Sequence, residues 1–322
     1  HSNVAIGKAT MYGNTTGDLN TAAGYAALSE NTTADGNTAF GGYALQVNST
    51  GANNVAVGAY ALDANTTASN NTTVGSYSLT QNTTGASNVA LGVSALGYNT
   101  TASNNTAVGF EALKLNTTGT QNVSVGTYAL DANTTADNNT ALGYNALTLN
   151  TTGAQNVGLG AYALQSNTTA SYNVGIGYNT LGATTTGQQN VAIGGNALDA
   201  NTTGGDNVAV GTAALGASTT ASNNTAVGQS ALGTNTTGAQ NTAVGLQALL
   251  NNTTGGYNLA LGYIALQANT TASNNMAIGP GALAANTTGA SNVGLGRNAL
   301  NANTTASSNT AVGHASLAAN TT

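Results

Sequence analysis

The sequence predicts an all-β fold, a parallel β-solenoid, and three observations predict it. Glycine recurs at Gly7, Gly24, Gly41, Gly58 and onward to Gly313, always 17 residues apart; (313 − 7)/17 gives 18 steps, hence 19 copies. Asn3, Asn20, Asn37 and Asn54 open a second column that is Asn in all 19 copies. A third column reads Met11 once and Leu thereafter, through Leu28, Leu45 and Leu62 to Leu317. No insertion or deletion interrupts the register, so residues 1–322 are expected to form one continuous repeat domain. Columns are named below after their members in the repeat 54–70.

In Asn54-Val55-Ala56-Val57-Gly58 the two valines lie two apart and share one face of a strand, with Ala56 on the other. Gly58-Ala59-Tyr60 is expected to turn a corner, and a short second strand to follow around Ala61-Leu62. Asn65-Thr66-Thr67 makes the next turn, because Asn and Thr side chains cap nearby backbone groups. Stacking at about 4.8 Å per coil would give a rod of roughly 85–90 Å. Asn, Thr and Gly are poor helix formers, and no 3.6-residue apolar stripe is visible.

A longer rhythm overlies the repeat. The residue after the Thr-Thr pair runs Gly17, Ala34, Gly51, Ala68, Gly85, Ala102 and keeps alternating to Gly187, with slips at Gly204 and Gly255. Two coil types therefore alternate in a 34-residue double unit. Aligned Asn residues are expected to form an amide ladder, the Leu column to face the Val57 column inside the coil, and the repeated Gly to take a positive φ. The Ala56 column is then a small-residue stripe on which another chain's backbone can pack, so several chains are expected side by side.

Composition narrows function. Charged residues make up 4% of the 322, with 3 Lys+Arg, 9 Asp+Glu, 2 His and no Cys. Acid–base and metal chemistry draw on those residue types, so catalysis is not expected, nor any cofactor or metal. A net charge of −6 leaves no basic patch for nucleic acid, and no apolar run is long enough to insert into a membrane. Asp63, Asp131 and Asp199 share a column but stand four coils apart, about 19 Å by strand spacing, too far for joint metal ligation. His1 and His314 have no sequence partners.

The turn column carries dense Asn-x-Thr/Ser sequons, among them Asn14, Asn31, Asn65, Asn82, Asn99, Asn116, Asn133, Asn150 and Asn167. These are candidate glycosylation sites on exposed turns. The same column holds Thr184 and Ser218, which favours a capping role instead. Thr columns on a flat face suggest ice binding, although adjacent Thr residues in an extended chain face opposite ways. Tyr43, Tyr60, Tyr77, Tyr128 and Tyr162 occupy one corner position, an aromatic edge for adhesion or sugar stacking or simply a variable corner.

The strand units 3–7, 54–58 and 105–109 resemble the head repeats of trimeric autotransporter adhesins. The longer form at 139–147, followed by 150–153, is similar to repeats of phage tail fibres and bacterial surface fibres. The resemblance implies left-handed parallel β-rolls associated as trimers. The repeat also runs into both ends without a polar cap, so either the sequence is a piece of a longer fibre or subunits join head to tail, the second being narrowly preferred. Together these features point to a non-catalytic, adhesin-like structural fibre or filament subunit, extracellular or on a cell surface. Its expected partners are copies of itself and possible surface glycans; the alternatives are an ice-binding solenoid and a carbohydrate-binding adhesin.

Overall fold

The computed structural model describes residues 2–321 and is all-β, with 19 parallel three-residue strands and no helix among the described residues. Contacts divide the chain into two compact units, His1–Gly158 and Leu159–Thr322, although the 17-residue register passes the division unbroken. The first unit runs from β1 (Val4–Ile6) to β9 (Thr140–Leu142), and β10 (Val157–Leu159) lies at the division. The second unit runs from β11 (Val174–Ile176) to β19 (Thr310–Val312).

Within each unit every strand pairs in parallel with the next, residue for residue at a separation of 17: Val55↔Thr72 and Ala56↔Thr73 in the first, Val208↔Thr225 and Ala209↔Ala226 in the second. Both units are β-solenoids. The strand alternates as its period of two demands, but its inner face is the small one. Ala56 is fully buried, whereas Val55 and Val57 are partly exposed. This corrects two expectations. The Leu column does not face the Val57 column, and the small-residue stripe is not an outer surface for another chain. A coil of 17 residues has room for one large side chain; Leu62 takes it, and Ala56, Ala61, Ala68, Asn54 and Asn65 fill the remainder.

The expected second strand is absent as well. Residues 59–64 are turns, because Tyr60 and Leu62 both adopt left-handed backbone, at φ 56° and 53°. Asn70 adopts it a third time, at φ 64°. Left-handed backbone costs a non-glycine residue roughly 1–2 kcal/mol, while full burial of Leu returns about 1.5–3 kcal/mol. The Leu62 column accordingly admits only Leu and Met; β-branched residues tolerate this region least.

Inter-coil hydrogen bonds hold these turns. The Leu62 and Thr66 N–H groups donate forward to the Ser78 and Thr83 carbonyls at 3.0 Å each. Tyr60 and Asn70 donate backward to Gly42 and Ala52 at 3.0 and 3.1 Å. Each coil is thus tied to both neighbours outside the strand as well as within it.

Glycine is required at two positions. Gly58 has φ 138°, and a Cβ there would lie 2.5 Å from the Gly75 carbonyl oxygen; Gly7, Gly24 and Gly41 share the positive φ. Gly51 is forced by space alone, since its Cβ would lie 2.1 Å from the Ala68 oxygen. This contact accounts for the double unit. A coil ending in Ala is preceded by one ending in Gly throughout the chain, and where the phase slips, at Gly187-to-Gly204 and Gly238-to-Gly255, glycine follows glycine and never alanine alanine. The alternation is reinforced one residue later, where the Ala52 and Ala86 N–H groups donate to the hydroxyls of Ser69 and Ser103 in the following coils, each at 3.0 Å.

Candidate functional site

Three features of the solenoid surface and wall bear on function: the two asparagine columns, the outer strand face and the tyrosine edge.

The Asn3, Asn20, Asn37 and Asn54 column is buried except at its ends; it forms the expected amide ladder in several coils, as Asn54 Nδ2 to Asn37 Oδ1 at 3.2 Å and Asn207 Nδ2 to Asn190 Oδ1 at 3.1 Å, and adds backbone bonds to it. Each Oδ1 accepts the backbone N–H of the next Asn, as in Asn37 to Asn20 at 2.9 Å and Asn54 to Asn37 at 2.9 Å. Nδ2 donates to the carbonyl 14 residues on, as in Asn54 to Ala68 at 2.9 Å, except in the last coil, where Asn309 donates to Asn292 Oδ1 at 3.2 Å. A side-chain ladder also runs along the sequon column. Asn65 donates Nδ2 to the Asn48 Oδ1 at 2.8 Å and to the Ala68 carbonyl at 3.0 Å. Both columns therefore clamp one carbonyl, filling its two lone pairs and joining the end of each coil to its beginning.

This geometry decides what the sequon residues do. Asn31, Asn65, Asn82, Asn99, Asn116, Asn133, Asn150 and Asn167 are fully buried, and Asn14 is half-buried. Their nitrogens donate within the coil wall, for example Asn82 to Gly85 and Asn133 to Ala136 at 2.9 and 3.1 Å. A glycan on such a nitrogen would replace a donor hydrogen where no solvent reaches. The expectation of exposed acceptor turns is corrected: in the folded chain these asparagines cap.

Where the column carries Ser218, the ladder breaks. Asn201 Oδ1 and Ser218 Oγ are buried without a hydrogen-bond partner, because serine has no amide to donate to the coil before. The neighbouring Thr66 column is also spent internally: its hydroxyls donate to the next coil's carbonyl, as Thr66 to Thr83 at 3.1 Å. Among the described residues the Thr67 column stands exposed along the chain.

The outer strand face is apolar. On the Val57 column Ile6, Phe40, Val74 and Leu142 are 64%, 42%, 42% and 48% exposed, and Val or Thr flanks them in the Val55 column. On the tyrosine edge, Tyr43 and Tyr60 stack at 4.9 Å and 11°, and Tyr60 and Tyr77 at 5.2 Å and 5°. Tyr25 meets Tyr43 edge-on at 5.2 Å, as Phe110 meets Tyr128 at 5.5 Å.

Titratable groups are few. Burial raises the carboxyls of Asp63, Asp131 and Asp199 above the usual carboxylate value, against the hydroxyls of Thr80 and Thr148 that donate to the first two. Lys114 pairs with Glu111 at 2.8 Å, which raises the lysine. No group of three or more His, Cys, Asp or Glu suited to a metal occurs among the described residues. His1 lies outside those residues, and His314 sits exposed in the last coil. No helix among the described residues is long and apolar enough to cross a membrane.

Compared with known proteins, the chain matches no protein-family model and no curated sequence.

Proposed function

We propose that the chain is a non-catalytic, extracellular structural fibre or filament subunit, adhesin-like in its repeat, that associates with copies of itself. The observation that carries this reading is the outer strand face. Apolar side chains at coil spacing form an in-register stripe of a kind that soluble monomers rarely leave uncovered. A second copy offers the same side-chain spacing and buries both stripes. Side-by-side packing thus runs through the Val55 and Val57 columns, and head-to-tail stacking adds coils by strand pairing. Rigidity comes from the hydrogen bonds between coils, and length from repeat number.

The test is sedimentation velocity with negative-stain imaging of the chain and of a Phe40→Lys/Val74→Lys/Leu142→Lys variant. These three side chains are already more than two-fifths exposed, so the coil itself is expected to survive. Wild-type chains sedimenting as laterally associated particles, with the variant as single chains, supports the reading. Wild-type chains that stay single at their solubility limit, without filaments on the grid, would sink it.

A further inference from the structure

The tyrosine stack ends at a notch. Tyr77 closes a run of three stacked rings, and the next member of its column is Ser94. In the same coil Gly97 occupies the column that elsewhere carries Asp63, Thr80 or Lys114. Two absent side chains in one coil leave a cavity of about 320 Å³ lined by Tyr77, Thr80, Gln81, Ser94, Tyr98 and Lys114, with Gly97 at its floor. Its size reaches the lower bound for small-molecule sites.

The lining specifies the ligand chemistry. Tyr77 is 48% and Tyr98 44% exposed, so two aromatic rings flank the opening. Tyr77 is backed by Tyr60 on the side of the preceding coil, and the ring that would continue the stack is missing at Ser94. Around that vacancy stand the Ser94 and Thr80 hydroxyls, the Gln81 amide and the Lys114 ammonium. Thr80 already donates to Asp63 and Lys114 to Glu111, but a purely aromatic guest would offer nothing to the Ser94 hydroxyl and the Gln81 amide, whereas a sugar ring offers an apolar face to tyrosine and hydroxyls at its rim. Charge selects further: Glu111 neutralises Lys114 at 2.8 Å, and Asp131 adds a negative charge in the next coil of the same column.

We propose that this notch is a binding site for one neutral pyranose residue, seated against Tyr77 with Gln81, Ser94 and Lys114 bonding its hydroxyls. It does not rest on assembly, since all its residues lie in the first unit. A single sugar ring has few heavy atoms to bind with, so a Kd of about the millimolar range is expected.

Saturation-transfer NMR on the intact chain tests it, with glucose, galactose, N-acetylglucosamine and their methyl glycosides as probes and glucuronate as the anionic control. Transfer to at least one neutral sugar, but not to glucuronate, is expected. If the methyl glycosides show it at least as well as the free sugars, the end of a glycan chain is the natural source; transfer to the free sugars alone indicates a free monosaccharide. Gly97→Gln fills the floor with the residue found at Gln46, Gln165 and Gln267 of the same column, so it is compatible with the coil. It should reduce transfer about tenfold, and Ser94→Tyr, which extends the ring stack into the vacancy, should do the same. Absence of transfer from every neutral sugar, preference for glucuronate, or undiminished transfer in both variants overturns the proposal.

Discussion

The two asparagine columns use one side chain in one wall for unequal tasks. Asn54 and Asn65 both donate to the Ala68 carbonyl, at 2.9 and 3.0 Å. Their Oδ1 atoms differ: Asn54 accepts the backbone N–H of Asn71 at 3.0 Å, while Asn65 accepts the side-chain amide of Asn82 at 3.1 Å. The first column is Asn in all 19 copies, and the second admits Thr184 and Ser218. A backbone donor is fixed by the strand ladder and cannot turn to another acceptor, and orphaned buried N–H groups are rarer than under-satisfied oxygens. A side-chain amide keeps its second bond when one partner leaves. Tolerance within a repeat is thus set by what a substitution strands in the next coil.

The largest expected effect breaks the first column. Asn105→Ala removes the acceptor of the Asn122 N–H, at 2.9 Å, and leaves that donor buried. The Gly119 carbonyl keeps its bond from Asn116 at 2.9 Å. A loss of about 3 kcal/mol is expected, from one stranded donor and the vacated space. In a repeat array that loss stays near its own coil, so hydrogen exchange of the Asn122 amide and its neighbours measures it better than a global melt. Asn99→Ala is the matched partner in the second column. It strands the Asn82 Oδ1 and one hydrogen of the Asn116 amide, whose nitrogen keeps its bond to Gly119, while Ala102 still accepts from Asn88 at 2.9 Å. The expected loss is about 1–2 kcal/mol. Equal protection losses in the two variants would refute the distinction.

The comparison also runs in the stabilising direction. Ser218→Asn would restore a donor to the unpartnered Asn201 Oδ1 and an acceptor for the second hydrogen of Asn235 Nδ2, which donates to the Gly238 carbonyl at 2.9 Å. A gain of about 1 kcal/mol is expected, seen as slower exchange in residues 201–235. A destabilised variant would mean that the break is accommodated by a local packing that favours the smaller side chain.

Much of this was legible in the sequence, and the failures have a common cause. Register, strand position and the positive φ of the Gly58 column follow from period and residue type, because only glycine takes that backbone conformation. The inward face was not legible. Period two says that Ala56 and Val57 face opposite ways, but it carries no sign, and both residues are apolar. The interior chose alanine because Leu62 had already filled the coil. Nor was the fate of the Asn65 column visible, since a sequon on a turn reads the same whether its amide points to solvent or into a wall. Thr184 and Ser218 were the available signal, and they pointed to capping. The notch at Ser94 and Gly97 was present in the columns as two small residues in one coil, and only the placement of Tyr98 and Lys114 beside them made it a cavity.

Neither asparagine column titrates, so pH separates the amide wall from the carboxylates on its surface. Asp63, Asp131 and Asp199 have folded values raised above 3.8 by burial. Such a carboxyl takes up its proton in the folded chain before the unfolded one does. Stability therefore rises as pH falls from neutral through the folded values, is fully gained only below 3.8, and is lost again as pH is raised. Each site is partly exposed, which limits the gain to roughly a few tenths of a kcal/mol. Asp18 runs the other way: the Ser2 and Leu19 N–H groups lower its value, so its contribution is lost only on acidification below 3.8. Chemical denaturation between neutral pH and about pH 4 should show a small net gain that the Asp63→Asn/Asp131→Asn/Asp199→Asn variant lacks, with protection of the Asn122 and Asn71 amides unchanged in both. If acidification instead loosened those two amides, the wall would be coupled to the surface charges, and the cost of breaking either column would have to be measured again at each pH.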